Sequence, residues 1–435
     1  MTRLHLVAIA AVGLLTMAGV ALVTRGTADD PPADEAGAHD LEPSERVAEV
    51  TVPEYRDAIT RHLDRLAREP RPVDRSALPP RHMDVEVFPM ALVARDRIVS
   101  GGPPPDGIPS IDDPEFEPVL DVDWIGDREP VLVLDLDGQT RVYPLQVMMW
   151  HEIVNDEIAG RAVTVTYCPL CNTGIAYDRT VDGQVLDFGV SGSLYQSAMV
   201  MYDRQTESLW THVDGRSVVG ELVGAELELL PVAMVRWSDA RDAHPDALVL
   251  SRTGSLFGRY GQNPYGAYGS GDAPLPGFFN GDVDERLAPM ERVVGIRDGD
   301  IDIAVPIEHL AGSGTMTLDG HERPITVWHL PDAPWAIGAP LVGDADDTGV
   351  TAVFDARHDD LALSFTRVDE QFVDDVTGSS WDIFGNAVSG PLTGARLDPL
   401  VHLDTFWFAW STYRPDTAVI DPTDPTIRYF APRWR

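Results

Sequence analysis

Residues 161–178 read Arg-Ala-Val-Thr-Val-Thr-Tyr-Cys-Pro-Leu-Cys-Asn-Thr-Gly-Ile-Ala-Tyr-Asp, and this stretch decides the fold class. From Val163 to Tyr167 apolar and polar side chains alternate, the period of a strand with one buried face. Gly174 to Tyr177 forms a second such run, so Cys168-Pro169-Leu170-Cys171 reads as a turn between two strands. A thioredoxin-type Cys-x-x-Cys sits instead at the start of a helix, whose dipole stabilises the thiolate. That fold is disfavoured here, although thiol chemistry on another scaffold is not.

The same grammar extends outward on both sides. Residues 131–136, the Asp137-Gly138 turn and residues 140–143 read as a hairpin, and a second Asp-Gly turn, Asp182-Gly183, precedes residues 185–188. Short helices are expected over 145–151 and 232–243, with an amphipathic one over 55–68. The class is mainly β (α+β) with short helices.

Further out the pattern recurs. Trp210, Gly220, Gly224, Leu227, Trp237, Pro245, Asp246 and Val249 match Trp381, Gly390, Gly394, Leu397, Trp407, Pro415, Asp416 and Val419, and 220–250 runs against 390–420 without a gap. Residues 131–144 match 293–306, and 161–165 match 323–327. The chain therefore reads as two tandem copies of one β-rich module, 131–255 and 291–421, packed pseudo-symmetrically. A connector, 256–290, joins them, an N-terminal extension spans 51–130, and a tail spans 422–435. The tryptophans read as core anchors, and the Gly-x-x-x-Gly pairs as sites of positive φ or close backbone approach. The cysteines belong to the first copy alone; in the second, the matching strand runs into His329-Leu330-Pro331.

Several of these stretches carry a resemblance. The segments YPLQVMMWHEIVND, VTVTYCPLCNTGIAYDR, FGVSGSLYQSAMVMYDRQTESLW and FWFAWSTYRPDT resemble the exported domain family known as domain of unknown function 3179, over most of 130–420. The resemblance implies no activity, fold or cofactor. Its members usually show glycine where this chain has Asn172 and often glutamine where it has His212, so it gives His212 no general role.

The charge is extreme. Seventy acidic residues face 33 basic ones for a net charge of −37, and every basic residue is arginine. The acids are spread along the chain, which describes a uniformly acidic surface of the kind halophiles use and implies a halophilic, archaeon-like member of the family. Such a surface repels phosphate backbones, so nucleic acid is excluded as a partner. Residues 4–24 carry no Asp, Glu, Lys or Arg and are long enough to span a bilayer. We expect residues 1–26 to be a signal anchor or signal peptide, followed by an acidic spacer over 27–50. The rest would then lie outside the cell, anchored or secreted, touching the membrane through the N-terminal segment only.

In an exported chain a Cys-x-x-Cys has two chemical readings. One is thiol–disulfide exchange with a thiol protein, tuned by the cysteine pKa values. The other is a soft-metal site for copper or zinc, completed by histidine or carboxylate. His151 and Glu152 are the additional ligand candidates, because a helix over 145–151 feeds the hairpin that returns to Cys168. Met148 and Met149 read as core filling. Asp203 and Arg204 are candidate pocket polar groups, weighed against a simple supported turn. The tyrosine-rich run 260–268 reads as a loop packed on the module interface. No nucleophile elbow, phosphate loop, dinucleotide fingerprint or zincin helix occurs. The competing reading is a non-catalytic scaffold with a minor disulfide, its tryptophan-rich modules contacting protein or glycan.

Overall fold

A computed structural model describes residues 92–93, 97–252, 259–266, 268–299, 301–319 and 323–421. The expected anchor, spacer, 55–68 helix and C-terminal tail lie outside the described residues. The protein is mainly β, with 45% strand and 11% helix. No helix among the described residues is long and apolar enough to cross a membrane.

The expected hairpin is Pro130–Leu136 paired antiparallel with Gln139–Pro144, turning at Asp137 and Gly138, both with positive φ. It sits in a five-stranded sheet with Ala233–Arg236, Leu248–Leu250 and Phe116–Pro118. Leu248–Leu250 runs parallel to Gln139–Pro144 and is reached through the helix Trp237–Ala243. The expected 232–243 helix is therefore part strand: Ala233–Arg236 extends the sheet, and helix begins only at Trp237. The apolar run Val232-Ala233-Met234-Val235 suits either state, and pairing with Pro130–Val133 settles it.

The cysteine hairpin belongs to a four-stranded sheet ordered Glu228–Leu230, Thr173–Asp178, Arg161–Cys168, Ile153–Ile158. The helix Leu145–His151 delivers the chain into it. A third sheet, Ile98–Ser100, Phe188–Tyr195, Ala198–Asp203, Leu209–Thr211, Ser217–Val219, covers the site from the other side.

In the C-terminal half, Arg292–Asp298 pairs with Ile301–Pro306 and with His402–Phe406, and Ala418–Val419 runs parallel to Ile301–Pro306 after the helix Trp407–Tyr413. Pro324–Leu330 lies between Thr315–Asp319 and Val350–Asp355. The largest hydrophobic cluster takes Tyr143, Tyr167 and Tyr177 from the N-terminal half and Phe406, Trp407 and Trp410 from the C-terminal half. A second combines Trp237 and Val249 with Trp328, Phe372 and Trp381. The halves thus share their cores. Gly220 and Gly390, with φ of 106° and 91°, each press on a serine: a Cβ would stand 2.7 Å and 2.6 Å from the Cα of Ser208 and Ser379.

Candidate metal centre

The turn between Arg161–Cys168 and Thr173–Asp178 closes through Cys171 N to Cys168 O at 3.3 Å and Asn172 N to Pro169 O at 3.3 Å. Closing it in so few residues drives Asn172 to a φ of 52°. Glycine adopts that conformation most easily and asparagine several-fold more readily than other side chains, so Asn172 suits the position. Its side chain is also held, accepting from Tyr167 Oη at 3.1 Å and donating to Asp404 at 3.5 Å.

The turn brings Cys168 and Cys171 within 2.9 Å of each other as free thiols. His212 joins them: one ligand atom from each of the three lies within 4.8 Å of the others. All three are buried, at 1%, 0% and 0% exposure. His212 follows the strand Leu209–Thr211 and is fixed at three points. Its N–H donates to Met199 O, its carbonyl accepts from Tyr177 Oη at 2.6 Å, and its Nε2 sits 2.8 Å from Thr166 Oγ1. The Thr166 hydroxyl spends its only proton on Ile175 O at 3.0 Å, so it can only accept from the imidazole. Nε2 therefore carries a hydrogen, and the neutral ring keeps its lone pair on Nδ1, a buried atom without a hydrogen-bond partner.

Electrostatics divides the two sulfurs. Burial pushes the Cys171 thiol up, but its interactions with Cys168 and His212 reverse this and hold it below the usual range. Cys168 is pushed well above, first by burial and then by its neighbour's sulfur. Its Sγ accepts the Met199 amide at 3.4 Å. Of the two sulfurs, Cys171 is thus the one whose deprotonation the surroundings favour. A soft cation would take the place of the sulfur protons on the same donor set.

Glu152 is a carboxyl that interacts electrostatically with both cysteines. It sits at the end of the Leu145–His151 helix with φ of 59° and exposure of 6%, close enough to feel the charge of Cys171. Burial raises its pKa to about 7 against a hydrogen bond from Tyr265 Oη. His151 is placed differently. Its Nδ1 donates to Pro109 O at 2.7 Å, so Nε2 accepts from Tyr260 Oη at 2.8 Å, and neither nitrogen is free for a metal. The tyrosine-rich run lies against this region, because Tyr268 Oη also donates to Leu170 O, inside the cysteine turn, at 2.7 Å.

Asp203 and Arg204 serve a turn away from the cysteine group. Asp203, fully buried and raised to about 6 by that burial, accepts from Thr206 N, Thr206 Oγ1 and Trp210 Nε1 at 2.6, 2.8 and 2.9 Å. Arg204 is clamped by Asp106 and Ser110. Asp374, Thr377 and Trp381 repeat the first arrangement in the C-terminal half.

That half also braces the cysteine turn directly. Cys171 O accepts from Thr405 Oγ1 at 3.0 Å and Phe406 N at 3.2 Å, and Asp404, which meets Asn172, is paired with Arg292.

Compared with known proteins, the chain matches the family described as protein of unknown function (DUF3179) over residues 105–417. No curated protein and no solved structure matches it.

Proposed function

The chain belongs to the DUF3179 family, whose description assigns no activity, and from its own site we propose that it is a metalloprotein holding a thiophilic ion, zinc or copper(I), on Cys168, Cys171 and His212. The observation that carries this reading is the single bare nitrogen of His212, its tautomer set by Thr166, beside two sulfurs. A hydroxyl that fixes an imidazole in this way plays the part of the outer hydrogen-bond partner that orients metal-ligating histidines. Two thiolates and a neutral imidazole form a site of charge −2, which a divalent ion neutralises inside the protein.

Thiol–disulfide exchange with a protein partner is the weaker reading, since exchange needs a reachable sulfur and these are 1% and 0% exposed. The test is metal analysis of the full chain, loaded with zinc or with copper(I) under reducing conditions and then desalted. One equivalent per chain is expected, lost in Cys168→Ser and in His212→Ala. A chain that retains no more metal than Cys168→Ser would refute the proposal.

We further propose that the site sits in the equipped copy of a tandem duplication. Matched Asp-x-x-Thr-x-Ser-x-Trp turns at 203–210 and 374–381 and paired hairpin–helix units in the two halves support this. Superposition of an experimental structure's halves without common connectivity would oppose it. The uncharged segment 4–24 and the net charge of −37 support an exported protein working in high salt. Recovery of the chain in the cytoplasmic fraction, or full stability at low ionic strength, would count against those two points.

A further inference from the structure

Cys168 and Cys171 are the only two cysteines of the chain, and both are free. Their sulfurs stand 2.9 Å apart, a separation that belongs to neither of the two states such a pair can settle in. A disulfide requires about 2.05 Å. Two thiolates on one tetrahedral zinc, each about 2.3 Å from the ion, are held about 3.8 Å apart by the tetrahedral angle. The observed distance lies about 0.9 Å from each, so a small turn of either side chain closes the bond or opens the pair for an ion.

The backbone suits both states. The Cys171 amide closes a turn on Cys168 O at 3.3 Å. The ends of such a turn lie within about 7 Å of each other, compatible with the Cα span of a disulfide. Cys168 is held by strand pairing to Thr173, and the Cys171 carbonyl by Thr405 and Phe406. With both main-chain ends fixed, the side chains are what is left to move. A bridge across so short a loop adds little to stability, which makes a disulfide here a chemical state of the site rather than a staple.

Access selects the oxidant. At 1% and 0% exposure the sulfurs are out of reach of another protein's thiol or disulfide. Hydrogen peroxide is no larger than a hydrated metal ion, so an opening that admits the ion admits the peroxide.

We infer that the centre is a redox switch: a small hydroperoxide joins Cys168 and Cys171 in a disulfide, and the disulfide and the bound ion exclude each other. The inference rests on the metal reading proposed above and adds how the site releases its ion. One sulfur attacks a peroxide oxygen, breaking the O–O bond, releasing an alcohol or water and becoming a sulfenic acid. The second sulfur displaces that hydroxyl as water and forms the S–S bond. The two sulfurs lose two electrons and the peroxide gains them. In the metal-free pair the two thiol hydrogens leave in the alcohol and the water; in the loaded centre solvent supplies them as the ion departs. His212 is then the one ligand left, and it does not hold the ion alone.

The test uses the full-length chain, loaded with zinc, desalted and treated with hydrogen peroxide while a chromogenic chelator reports released zinc. Thiol titration and intact mass follow, and both report on this pair alone because the chain has no other cysteine. One zinc released and two thiols lost per chain are expected, with a mass lower by two hydrogens. A phosphine reductant should restore both thiols and zinc uptake. Oxidised glutathione should leave thiols and zinc in place. In the metal-free Cys168→Ser and Cys171→Ser variants the remaining sulfur should gain oxygen instead of closing a bridge. Wild-type sulfurs that gain oxygen without bridging, or a bridged chain that keeps its zinc, overturn the inference. Oxidation by glutathione disulfide as readily as by peroxide overturns the size restriction. A wild-type chain that takes up no zinc overturns the metal reading instead, and peroxide treatment of that metal-free chain still decides whether the pair closes.

Discussion

Replacing Glu152 by glutamine should stabilise the metal-free protein at alkaline pH and leave it unchanged in acid. Burial lifts this carboxyl from an ordinary 4.5 to about 7. A carboxyl whose pKa is raised in the native state favours folding when protonated. Its stabilising contribution is complete below about 4.5 and is lost as pH rises through about 7. The difference of about 2.5 units corresponds to about 3 kcal/mol at 1.36 kcal/mol per unit. The glutamine amide keeps an oxygen to accept from Tyr265, so the substitution removes the charge with little change of shape. The measurement is urea unfolding of metal-free wild type and Glu152→Gln in one salt concentration from pH 5 to pH 8.5. We expect a variant more stable by roughly 1 kcal/mol or less at pH 5 and by about 3 kcal/mol at pH 8.5. A gap that stays constant across this range would show that the carboxyl does not titrate there, and the reasoning would fail.

Thr166→Val preserves the shape beside His212 but removes the acceptor of its Nε2–H; metal affinity should fall about 10–100-fold, read by chelator competition, while the apo fold persists. Gly220→Ala would drive a methyl group to 2.7 Å from the Ser208 backbone at a φ of 106°, so thermal unfolding should reveal a loss of roughly 1–3 kcal/mol. A neutral result would mean that the loop shifts freely around Ser208.

Much of the scaffold is legible in the chain because it rests on local chemistry. Alternation in Val163–Tyr167, the Asp137-Gly138 turn and the helix over 145–151 are each written in adjacent residues, and each is observed. Residues 233–236 suit a helix as well as a strand because a short apolar run has no period of its own, and a partner strand about a hundred residues earlier decides the matter. The cysteine pair is equally plain, but its companion is not. His151 and Glu152 stand out by proximity along the chain; the fold turns the histidine toward Pro109 and Tyr260 and leaves only the carboxyl near the sulfurs. His212, which follows a strand of another sheet, reaches the cysteines by a contact no spacing rule encodes. Thr166 is the available hint: a polar residue fully buried in a strand, whose hydroxyl has to find its partners indoors.

The hold that Thr405 and Phe406 exert on the Cys171 carbonyl ties events more than two hundred residues apart. During synthesis the sulfurs emerge long before the segment that steadies them, so a nascent or clipped chain would present two loosely placed thiols to any passing oxidant or ion. The geometry of the cysteine turn is complete only once the C-terminal half has folded against it.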